Sequence, residues 1–247
     1  MSNLILQSTE KFKHKNCLLY FVIFIVPFWL RKIGLPNNEP DFNLRLKDDA
    51  FKDYKALPEN MQTAAEEAVE VLLHSGDGQL CDIIIDRATM EAIKEAGRAS
   101  KDDIIRDYAE STVAVANIKI AVRASKTAKS LEFMQRAMAP CDSLNVDGLA
   151  RAALAGMDSI IEYLNGNGYA AGAEALKESP SAFERWCDNR IIQTIKPQKT
   201  NPFSVGPLVA YVIARENEIK TVRIILTCKQ NGLSDDSIRE RVREMYV

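Results

Sequence analysis

The stretch IIRDYAESTVAVANIKIAV, residues 104–122, decides the fold class. Ile104, Tyr108, Ser111, Val115, Ile118 and Val122 recur at alternating steps of four and three, over a run without Gly or Pro. That is the period of a helix packed against other helices, not the alternation of a half-buried strand. Ser100, three residues before Asp103, is the expected N-cap, with the Asp103 carboxylate in the first turn.

A second stretch, LVAYVIARENEIKTVRIIL at residues 208–226, has the same steps through Leu208, Val212, Arg215, Ile219, Val222 and Leu226. Between and around these two lie shorter helices with clear punctuation. Pro58 suits a first helical turn, and the helix carrying Met61, Ala65, Ala68 and Leu72 breaks at Ser75-Gly76-Asp77-Gly78. The next carries Leu80, Ile83, Ile84, Met90 and Ile93 and ends near Gly97. A short helix is expected over residues 131–139, closed by Pro140-Cys141-Asp142. Ser179-Pro180 starts another over residues 181–196, residues 197–206 are expected as a loop, and Ser234 caps a final helix running to the C-terminus. The expected fold class is all-α.

Composition excludes several functions. Hydrophobic residues are 47% and charged residues 27%, as in an ordinary folded protein, and the net charge of -2 gives no basic footprint for nucleic acid. Five dispersed cysteines without a C-x-x-C pair, and two histidines, His14 and His74, build neither a disulfide framework nor a zinc site. No G-x-x-x-x-G-K-[ST] run cradles a phosphate, and Gly166-Asn167-Gly168 with Gly172 is misspaced for a dinucleotide turn. Asp102-Asp103 and Asp235-Asp236 sit in first helical turns, where they complement the dipole. The C-terminal pair of helices looks like a helix-turn-helix, but Asp235, Asp236, Glu240 and Glu244 nearly cancel Arg239, Arg241 and Arg243. The expectation is a protein-binding chain that is no enzyme and takes no cofactor, metal, nucleic acid or small-molecule substrate.

Residues 1–40 stand apart. CLLYFVIFIVPFWL, residues 17–30, is uncharged but shorter than the roughly 20 apolar residues that span a bilayer, and Pro27 interrupts it. Lys11, Lys13 and Lys15 precede it, and no small-x-small cleavage site follows. A membrane anchor, a buried or interfacial helix and an artefactual start compete, and the third is favoured over insertion of residues 17–30.

The two long helices echo one another at an offset of 100 residues: Asn117 matches Asn217, Val122 matches Val222, Arg123 matches Arg223 and Lys129 matches Lys229. The echo implies two copies of one helical unit. Each copy sets charge within an apolar run. Glu216 and Lys220 are spaced i,i+4, and Arg215 and Glu218 i,i+3, as on a solvated face or a wall facing a protein partner. Arg215 on the stripe favours the wall, since an unpaired charge against a core is costly. The expected partner contacts are Asn117, Lys119, Arg123, Arg215, Glu216, Glu218, Lys220 and Arg223.

Residues 201–247, NPFSVGPLVAYVIARENEIKTVRIILTCKQNGLSDDSIRERVREMYV, resemble the C-terminus of the central-stalk C subunit of the V-type/A-type ATPases, known in eukaryotes as the d subunit. Pro207, Tyr211, the A-x-E-x-E-I-K-x-x-R-I-I pattern from Ala214 to Ile225, Asn231-Gly232-Leu233 and the Arg-rich closing helix carry the resemblance. NIKIAVRASKTAKSLEFMQRAMAP, residues 117–140, is similar to the family's N-I-K-x-x-x-R-A-x-K segment, with Cys141 where a Gly is usual. The resemblance implies a funnel of three helical bundles that rests on the membrane rotor ring and receives the central shaft. It implies a non-catalytic, peripheral protein at the cytoplasmic face of the membrane, serving hydrogen-ion or other ion transport. Residues 41–247 would then hold two of the three bundles, with the lysine-flanked apolar segment in place of the opening third. A membrane-tethered scaffold and a truncated, non-assembling fragment are the alternatives.

Overall fold

The computed structural model describes residues 58–246 other than 101 and 202. The apolar run at residues 17–30 and the expected boundary at residue 40 lie outside the described residues. Among those described there are ten α-helices, one 3-10 helix and no strand, so the fold is all-α. The described residues divide between Ala92 and Ile93 into two compact units.

In the first unit, α1 (Glu59–Ser75) buries Met61, Ala64 and Ala68 along one side and closes at Gly76, whose φ of 68° lets its N–H reach the Leu72 carbonyl. Helix α2 (Gly78–Ala99) starts where the Asp77 carboxylate accepts from the Gln79 and Leu80 N–H groups, both at 3.0 Å. Its last turns, from Ile93, belong to the second unit.

The second unit is built around α3 (Asp103–Lys126), which touches α4 (Leu131–Ala137), α5 (Val146–Ala155), α6 (Met157–Gly166), α8 (Pro180–Ile195) and α9 (Gly206–Gln230). Such wrapping explains why α3 buries Val113, Ala114, Val115, Ala116, Asn117 and Ile118 in succession rather than one stripe. Ile118, Met134, Leu149, Ile160, Leu164 and Phe183 form the centre of the core. Full burial of a large aliphatic side chain contributes about 1.5–3 kcal/mol, so this centre dominates the stability of the unit. Asp102, not Ser100, caps α3: its Oδ1 accepts from the Ile104 N–H at 3.0 Å, while Ser100 Oγ accepts from Asp102 N at 3.2 Å. Asp102 stands next to the free amides of the first turn, and Ser100 lies too far upstream to reach them.

Helix α7 (Ala170–Glu178) follows a turn at Gly168, whose φ is 81°. A Cβ on Gly172 would stand 2.6 Å from the Trp186 ring, so this glycine exists for the close approach of α7 and α8. Ser179 caps α8 as expected, accepting from the Ala182 N–H at 3.0 Å. The expected loop at residues 197–206 opens instead as a 3-10 helix, Lys196–Thr200.

The echo of the two long helices has a structural counterpart. After α3, Ala128 takes a φ of 50°, Lys129 N bonds the Ala124 carbonyl at 3.0 Å, and Ser130 caps α4. After α9, Gly232 takes a φ of 69°, Leu233 N bonds the Cys228 carbonyl at 3.0 Å, and Ser234 caps α10 (Asp235–Arg241). Each short helix then ends early, against expectation. Met138 and Val242 turn extended, and an asparagine on the long helix holds the backbone that follows. Asn117 Nδ2 donates to the Ala139 carbonyl at 2.8 Å and its Oδ1 accepts from Ala139 N at 3.0 Å. Asn217 Nδ2 donates to the Glu244 carbonyl at 2.8 Å, and Asn189 Oδ1 accepts from Glu244 N at 2.8 Å. Extended backbone has no helical partner for its amides, and these side chains supply one.

Candidate partner interface

Asp188 on α8 gathers cations from three other segments. Its Oδ1 accepts from Lys220 Nζ of α9 at 2.6 Å, and its Oδ2 accepts at 2.6 Å from Arg243 Nε of the C-terminal strap, residues 242–246 after α10. Lys119 of α3 lies 3.8 Å from Asp188 and 2.9 Å from Glu184. Burial pushes the Asp188 carboxyl up, but Lys220, Lys119 and Arg243 outweigh it and hold the group below its ordinary range. Burial likewise works against the Lys119 charge, and Asp188 and Glu184 more than restore it. This cluster ties α3, α8, α9 and the strap together.

Of the expected contact residues, the structure therefore places Lys119 and Lys220 in an internal lock. Lys220 turns to Asp188 rather than to Glu216. Asn117 is fully buried, its amide engaged with Ala139. Glu216 is half-buried near Tyr108 of α3, and burial pushes its carboxyl up. Arg123 and Arg223 are exposed on different helices. Arg215 is exposed and pairs with Glu218 one turn on. The eight residues do not form one patch. Those on the outer surface of α9 are Arg215, Glu218 and Arg223.

What surrounds Arg215 is apolar. Leu208 is 68% exposed, Val222 49% and Leu226 56%, with Tyr211, Val212 and Ile219 also open. The buried residues of α9 are Gly206, Ala210, Ile213, Asn217, Thr221 and Cys228, on the opposite side. The stripe of large apolar residues on this helix thus points outward, and a set of mostly small and polar residues at similar spacing faces the rest of the unit. Sequence reasoning missed Asp188 and Arg243, because their partners lie far along the chain. The signal that was available for the outward stripe was Arg215 within it.

A second polar cluster is structural. Lys94, buried on α2, donates to the Pro140 carbonyl at 3.1 Å and to Asp142 at 2.9 Å, and Arg98 forks onto the same carboxylate at 2.9 and 3.0 Å. Glu110 accepts from the Asp142 and Ser143 N–H groups at 2.8 and 2.7 Å and from the Cys141 thiol at 2.9 Å. Burial and Glu110 push that thiol up to about 11, so it is a protonated donor rather than a nucleophile. Among the described residues no group of His, Cys, Asp and Glu side chains could hold a metal, and no helix is long and apolar enough to cross a membrane. Arg243, one of the arginines that give the C-terminal pair its likeness to a DNA reader, lies buried on Asp188.

Known proteins share parts of this sequence. The chain is 24% identical over 169 residues to the C subunit of the A-type ATP synthase of Methanocaldococcus jannaschii, covering 64% of this chain and 42% of the relative. It is 23% identical over 197 residues to the C subunit of the V-type sodium ATPase of Enterococcus hirae, covering 77% of this chain and 59% of the relative. A shorter stretch of 74 residues is 36% identical to the C subunit of the A-type ATP synthase of Haloquadratum walsbyi, covering 28% of this chain and 21% of the relative. The chain spans about half the length of the first two. No solved structure matches. The profile of the ATP synthase (C/AC39) subunit family matches residues 40–241, and the chain belongs to that family.

Proposed function

We propose that this chain is a non-catalytic rotor component of a V-type/A-type rotary ATPase, coupling the central shaft to the membrane rotor ring during ion transport. Family membership over residues 40–241 carries the reading. The outer surface of α9 supports it, because an exposed apolar stripe with Arg215 and Glu218 on it is a surface for another protein. Arg123 and Arg223 extend the contact surface on their own helices. Asn117, Lys119 and Lys220 serve it indirectly, by fixing α3, α8 and α9 in place, and Glu216 stands half-buried behind that surface. Such a protein sits on the cytoplasmic face of the membrane through the complex.

The test is assembly. The full chain, mixed with purified shaft and ring proteins, should be retained by both, and high salt should release it from membranes without detergent. Retention by neither would remove the coupling role. Release only by detergent would point instead to a tether.

A further inference from the structure

We propose that α9 is also a two-fold self-association face, along which two copies of this chain pair antiparallel. The inference rests on α9 alone and does not require the rotor reading.

The outward stripe reads nearly the same from either end. About Asn217, which faces the interior, Leu208 mirrors Leu226, Val212 mirrors Val222, and Arg215 mirrors Ile219. A two-fold axis through that midpoint therefore sets leucine on leucine, valine on valine, and the aliphatic stem of each Arg215 on an Ile219 of the second copy. Isologous contacts demand this self-complementarity, and an unrelated partner does not. The steps of four and three are the spacing of a left-handed helix–helix seam. At about 1.5 Å per residue, the stripe from Leu208 to Leu226 supplies a seam of roughly 27 Å.

The charges agree with the antiparallel arrangement. Arg215 lies on the stripe, and its partner Glu218 lies toward one edge of it. The two-fold brings that edge against itself, so each Arg215 reaches its own Glu218 and that of the second copy in a closed ring of two cations and two anions. A parallel pair would instead set Arg215 on Arg215. Lys220 and Glu216 point away from the seam, one to Asp188 and the other toward Tyr108. The paired state covers the surface that the proposed function gives to the shaft, so the two states exclude each other.

The experiment uses the full chain with neither shaft nor ring present. Sedimentation should show a reversible, concentration-dependent approach to twice the mass of one chain, abolished by Val222→Asp. Arg215→Glu should weaken the association about tenfold or more, and adding Glu218→Arg should restore it by rebuilding the ring with signs exchanged. Benzoylphenylalanine in place of Val212, after illumination, should give a double-mass product with the adduct mapped near Val222 of the second copy. An adduct at residue 212 itself would mean a parallel pair. An adduct within one chain would mean that other residues of this chain cover the stripe. Either result, or a chain that stays monomeric at every concentration, overturns the proposal. Because the measurement uses the isolated chain, it leaves the coupling reading to be judged by its own assembly test.

Discussion

Helices α3 and α9 are the same device in two surroundings. Both are long, both lead through a left-handed turn into a Ser-capped short helix, and both hold the following extended backbone by an asparagine. Yet five other helices pack around α3 and bury most of its middle, while α9 rests on α3, α8, α10 and the 3-10 helix and leaves its large apolar stripe in solvent. A heptad-like stripe therefore marks where a helix can be covered, without saying by what. In α3 the cover comes from the same chain, and in α9 the described residues do not provide it.

The echo supplies matched pairs with which to break this comparison, and the valines should show the largest difference. Val122 is 6% exposed and Val222 49%. Val122→Asp buries an unpaired carboxylate among Met134, Leu149 and their neighbours and should cost about 4 kcal/mol or more. Val222→Asp should stay within about 0.5 kcal/mol. Urea denaturation of each variant, at concentrations dilute enough for a single chain, measures both. Similar losses would mean that the α9 stripe is as buried as that of α3.

The asparagines come next. Asn117→Ala strands both the N–H and the carbonyl of buried Ala139, at a cost of about 2–4 kcal/mol. Asn217→Ala strands only the Glu244 carbonyl near the chain end, where Asn189 still holds the N–H, and should cost about 1 kcal/mol. Equal costs would mean that the C-terminal strap is locked as firmly as the residues after α4.

Glu216 offers a smaller effect with a pH signature. Burial raises its carboxyl above the ordinary glutamate range, so folding favours the protonated form. That contribution is fully present below the unfolded value and is lost as pH rises through the raised folded one. Glu216→Gln should thus stabilise the chain slightly at neutral pH, with the gain vanishing as the pH falls into the ordinary glutamate range. Thermal melts across that range check it, and a loss of stability at neutral pH would show that the carboxylate is paired.

Much of the fold was legible because it depends on local signals: the two long helices, the break at Gly76, and the Ser179 and Ser234 caps. What stayed illegible depends on residues far apart in the chain. Nothing near Asp188 announces Lys119, Lys220 and Arg243, and nothing in ERVREMYV tells that the helix stops at Arg241 so that Asn217 can take the strap. The expected Glu216–Lys220 pair failed for the same reason: a neighbour on α8 competes better than one a turn away on the same helix. The family was legible from the motif of α9 and its flanks, while the division of the eight charged and polar residues into inner lock and outer face was not.

The smallest effect on stability should accompany a large effect on binding. Arg215 and Glu218 are exposed and paired one turn apart, so exchanging them, Arg215→Glu with Glu218→Arg, keeps the pair and should change stability by about 0–1 kcal/mol. A solvated face would register nothing further. A face that meets the shaft presents a fixed pattern of sign to it, and reversing that pattern should weaken capture by purified shaft proteins, because complementarity across an interface depends on which sign sits where. Exchanging Lys220 with Glu216 could not make this distinction, since it would tear Lys220 from Asp188 and disturb the lock between α8 and α9. Capture by the shaft, read beside the melt of the same Arg215/Glu218 variant, separates the two cases. Lost capture with an unchanged melt marks α9 as the contact, whereas unchanged capture with an unchanged melt moves the contact off α9.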